Sequence, residues 1–128
     1  MGRNDDLIRE LEAARDALDR WRTLHLELAL RLRRGRRSGL AHLRPQDESQ
    51  CRLGRCLSAL RRQAPKDPYV AELCHLHDDF HAYAGAVQQM IAQGRAEAAI
   101  TALTGMEFEG RRGALTDRIT ELLAEAAA

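Results

Sequence analysis

The chain has 128 residues, 20 basic against 19 acidic for a formal charge of +1, and a 4% share of aromatic residues. That length suits one domain with a modest core, 1–128 as a single unit, and the balanced charge gives no overall field to draw the chain to DNA or an acidic membrane. Three prolines and few aromatics, with leucine and alanine abundant, favour helices over sheets, so an all-α fold is expected. The opening Met1-Gly2-Arg3-Asn4-Asp5-Asp6 lacks an apolar export core, and no run of about 18 apolar residues follows. A cytoplasmic location without a membrane partner is the expectation. Three cysteines are an odd number, which in a reducing compartment favours metal binding or free thiols over a disulfide framework.

Leu7, Leu11, Ala14, Leu18, Trp21, His25, Leu28 and Leu32 follow alternating steps of four and three, the seam of a first helix over about residues 5 to 34. Asp5 and Asp6 suit its positive end and Arg33, Arg34, Arg36 and Arg37 its negative end, before Gly35 and Gly39. Residues 35 to 46 read as a connection. Asp47 and Gln50 resemble a capping box opening a second helix to about residue 63, with Leu53, Leu57 and Leu60 as its apolar stripe. Cys51 lies off that stripe, in a first turn whose amides favour a thiolate. Asp67 and Pro68 start a third helix reaching about Gln93, with a seam of Val70, Cys74, His77, His81, Ala84, Gln88 and Ile91 widened by Leu73, Phe80 and Val87. After Gly94 a fourth helix runs as Ala96 to Leu103 and Ala114 to Ala127, interrupted by Gly105, Gly110 and Gly113. The expected architecture is an antiparallel four-helix bundle with a broken last helix.

Four side chains carry the chemistry: His25, Cys51, His77 and His81. Three neutral imidazoles and one thiolate are the ligands that close a tetrahedral zinc site. His77 and His81, four apart, lie one above the other on a helix face. With His25 and Cys51 on other segments, one zinc ion would join helices one, two and three.

The order of these residues resembles the chemoreceptor zinc-binding domain family, which has a histidine on a long first helix, a Cys-x-aromatic/Leu-Gly-x-Trp-like motif, and His-x-x-x-His on a third. His25, then Cys51-Arg52-Leu53-Gly54-Arg55, then His77 to His81 match in order over about residues 7 to 125. The resemblance implies a helical bundle, usually dimeric, holding zinc with three histidines and one cysteine, and regulating a bacterial chemoreceptor or a diguanylate cyclase. Leu28 and Cys56 stand where the family often has tryptophan, which removes bulk beside the site. Signalling output would come from a partner chain or a fused domain.

Each residue also has a plainer reading. His25 alone suits a hydrogen-bonded core histidine, and a His77/His81 pair arises on helices by chance. Cys74 is two turns from His81, about 10 Å along the axis, and reads as a small buried hydrophobe. Cys56 reads as core, His42 and His75 as surface. The Arg31 to Arg37 cluster, without interleaved aromatics, reads as a solvated helix end and not a nucleic-acid site. Four protein ligands leave a zinc ion no position for a catalytic water, so no enzyme is expected. The sequence therefore points to a regulatory zinc sensor, a homodimer with Cys51 as its oxidisable ligand. The alternative is a metal-free helical dimerisation module.

Overall fold

The structure, a computed structural model, describes residues 2–37 and 52–127. Among these the chain forms five helices and no strand: α1 (Gly2–Arg33), α2 (Arg52–Gln63), α3 (Pro68–Ala92), α4 (Ala96–Thr104) and α5 (Met106–Ala127). The all-α expectation holds. Among the described residues no helix is long and apolar enough to cross a membrane.

The helix ends follow local chemistry. The Asp67 side chain accepts a 2.9 Å hydrogen bond from the Tyr69 amide, and Pro68 fills the first position of α3, where no amide hydrogen is needed. Gly35 and Gly94 both take φ near +80°, and the amides that follow, Arg36 and Arg95, return to the carbonyls of Arg31 and Met90 at 2.9 and 2.8 Å. These two left-handed glycine caps stop α1 and α3.

The apolar seam of α1 is consumed inside the chain. Leu11, Ala14, Leu18, His25, Leu28 and Leu32 are buried, and α1 packs chiefly on α4 and α5. α3 covers α5 and α4 from the other side, while α2 lies against α3 and α1. Leu11, Leu57, Leu73, Val87, Leu103, Phe108 and Ile119, drawn from all five helices, belong to one core. Because this core covers the seam, its length no longer argues for a second chain.

The stripe of α3 is rotated from the expected one. Leu73, Phe80 and Val87 join Val70, His77, Ala84 and Ile91 as the buried residues, whereas Cys74, His81 and Gln88 are only partly covered. Bulk decides this. The large apolar side chains take the centre, and the polar members of the seam move to its edge.

The break in the last helical segment falls at Gly105 alone; Gly110 and Gly113 lie within α5. Phe108, Leu115 and Ile119 are fully buried on that helix, and their packing outweighs the weak helix propensity of the two glycines. The glycines should therefore respond oppositely to substitution. A Cβ at Gly105 would stand 2.9 Å from the Thr101 carbonyl oxygen, while at Gly110 and Gly113 nothing lies within 4 Å. Gly105→Ala is expected to destabilise by about 1–3 kcal/mol, and Gly110→Ala to stabilise by about 0.4–1 kcal/mol. Urea unfolding midpoints of the two variants check both signs.

Candidate metal centre

The α2–α3 hairpin brings the start of one helix to the middle of the other. The four-residue connection Ala64 to Asp67 joins two packed helices, which makes them antiparallel neighbours. Arg52 is eleven residues before the end of α2 and Asp79 eleven residues after the start of α3. The first turn of α2 is thus level with His77 and His81. Cys51, one residue ahead of that turn in the sequence, lies outside the described residues, as do His42 and the proposed capping box of Asp47 and Gln50.

His77 and His81 are brought together. Their ring centroids are 4.4 Å apart with an interplanar angle of 78°. His77 is 4% exposed, and its Nε2 is buried with no hydrogen-bond partner among the described residues. Such an atom, a lone pair or an N–H removed from water with nothing opposite, costs about 1–3 kcal/mol unless something satisfies it. A metal ion is one such partner. Asp79 turns away from the rings to pair with Arg111 of α5 at 3.0 Å, and Asp78 is exposed.

His25 sits elsewhere. Its Nδ1–H donates to the Trp21 carbonyl at 2.8 Å, and Nε2 accepts from the Gln88 side-chain amide at 3.0 Å. Its ring stacks on Trp21 with centroids 4.0 Å apart. Gln88 is seven residues beyond His81, about 10 Å along the axis of α3. Both ring nitrogens are therefore engaged, the second by a residue two turns beyond His81. Among the described residues, no three His, Cys, Asp or Glu side chains gather as a metal-binding group. The reason lies in the packing of α1, which rests on α4 and α5 more than on α3.

Burial lowers the pKa of His25 below the ordinary 6.5, and the bond to the Trp21 carbonyl only partly opposes this. A base depressed in the folded state binds fewer protons there than in the unfolded chain. Its contribution to stability is thus complete above pH 6.5 and is lost as the pH falls through that value toward the lower folded pKa. The expected result is a urea midpoint that drops between pH 7.5 and pH 5, with a shallower drop in His25→Gln.

Two features were missed from sequence. One is Gln88 as the partner of His25; its polarity on the α3 seam was the available signal. The other is an aromatic cluster linking three helices. Trp21 meets Phe80 at 5.8 Å edge-on and Phe108 at 6.2 Å nearly parallel, and Phe80 meets Phe108 at 5.9 Å. With two phenylalanines, two tyrosines and one tryptophan spread over 128 residues, periodicity offered no cue that they would meet.

The other two thiols lie among the described residues. Cys56 and Cys74 are half-buried, and burial pushes both thiols up, with Glu10 adding to the effect at Cys56. His75 is exposed, as expected for a surface residue. No protein-family model, curated protein or solved structure matches the chain.

Proposed function

We propose that the protein is a regulatory helical domain that binds zinc at the α2–α3 hairpin, with His77, His81 and Cys51 as donors, and that belongs to bacterial signalling of the chemoreceptor or cyclic-di-GMP type. The observation that carries the metal is the buried, unpartnered Nε2 of His77 beside the ring of His81. The level of the first α2 turn supports the thiolate, and Cys51 is the soft donor that the resemblance implies. Bound there, zinc would supply a redox-inert crosslink between two helices. The signalling role and the pairing of two chains rest on the resemblance alone. Oxidation or alkylation of Cys51 would remove one donor and loosen the link. The regulatory role is the one that the resemblance implies.

The test is the zinc content of the untagged protein. About one zinc ion per chain and a melting temperature that falls on chelation, with helicity kept, are expected. A protein free of zinc, or one whose melting ignores chelator, overturns the reading. The saturated hydrogen bonds of His25 favour a second one, a metal-free helical interaction module in which the histidines are core residues. Light scattering at micromolar concentration checks the homodimer independently of the metal.

A further inference from the structure

The resemblance assigns zinc four donors on three helices, and the fourth is His25. Tetrahedral zinc holds nitrogen and sulfur donors at about 2.0–2.3 Å, which brings any two of them to within about 4 Å of each other. The Nε2 of His25 is instead 3.0 Å from the amide of Gln88, two helical turns from His81. The tautomer is the right one for a ligand, since the Nδ1 proton is fixed on the Trp21 carbonyl and Nε2 carries the lone pair. The position is not.

Nor is the path open. The Trp21 ring covers one face of the His25 ring at 4.0 Å and packs on toward Phe80 and Phe108. To reach His77, His25 would have to give up both hydrogen bonds and displace Trp21 from two phenylalanines, one of them the fully buried Phe108. The rings of His77 and His81, by contrast, already adjoin.

We infer that His25 lies outside the donor set, so that a metal held at His77 and His81 leaves α1 to α4 and α5. This rests on the zinc reading above. It changes what the metal can regulate: occupancy would act on the middle of α3, and the α1–α4–α5 face would be unaffected. His25 then acts as a positioning residue, joining α1 to α3 through Gln88 and holding Trp21 in the aromatic cluster.

Zinc affinity by competition with a chromophoric chelator, and hydrogen exchange of the whole chain with and without zinc, test this. His25→Gln is expected to bind zinc as tightly as the unaltered chain, while His77→Gln and His81→Gln weaken it by about tenfold or more. Gln88→Leu serves if His25→Gln fails to fold. It frees Nε2, so unchanged affinity supports the inference and tighter binding overturns it. Zinc should protect amides in residues 74–84 and leave 21–29 as they were. Loss of affinity in His25→Gln equal to that in His77→Gln, or zinc-dependent protection around His25, overturns the inference and leaves zinc binding intact. If the unaltered chain takes up no zinc, the functional reading itself fails.

Discussion

Phe108→Ala is expected to lower the stability of the protein by about 3–5 kcal/mol, the largest effect of any single truncation in the core. Phe108 is fully buried near the start of α5, just past the Gly105 break. Its ring meets Trp21 of α1, Phe80 and Tyr83 of α3, and lies 5.5 Å below the Arg22 guanidinium. Removing it opens a cavity among rigid rings that cannot collapse to fill it, and strips away the edge and stacked contacts that add to burial. Tyr83 is tied further, its hydroxyl donating to the Ala102 carbonyl at 2.6 Å, so it cannot swing inward without breaking that bond. Phe108→Leu, which keeps most of the apolar volume, should cost less than half as much. Guanidinium unfolding of both variants, followed by far-ultraviolet circular dichroism, gives the comparison; equal losses would mean that the retained volume restores nothing and that the ring contacts carry the whole effect.

What could be read from the sequence is what one helix determines by itself. The seam of α1 through Leu11, Leu18 and Leu32, the Asp67-Pro68 start and the glycine stops at 35 and 94 all follow from spacing and capping within a few residues, and each is found. What one helix cannot determine is which neighbour its face meets. His25 was correctly placed on a core stripe, but the stripe of α1 faces α4 and α5, and its histidine bonds Gln88 at the far half of α3. Likewise the three glycines of the last segment look equivalent as breakers, and only the burial of Phe108 and Leu115 around Gly110 and Gly113 keeps that stretch helical. The pairing of His77 with His81 was legible because it depends on a single helix.

His77→Leu should separate the two readings of the buried histidines by the sign of its effect. In the metal-free protein the change removes an imidazole nitrogen that is buried without a partner and leaves an apolar side chain of similar reach. Relief of that desolvation penalty is expected to stabilise the metal-free form by about 1–2 kcal/mol. In the presence of zinc the order reverses. The unaltered chain gains roughly 2.7 kcal/mol when free zinc is about a hundredfold above its dissociation constant, and about 4.1 kcal/mol at a thousandfold, because only the folded state assembles the donors. His77→Leu forfeits that gain. Its melting temperature should therefore lie above that of the unaltered chain in chelator and below it in zinc. A helical module whose histidines are simply core residues would show the first difference and not the second, and a variant less stable in chelator as well would mean that Nε2 of His77 has a partner that the metal-free protein cannot do without.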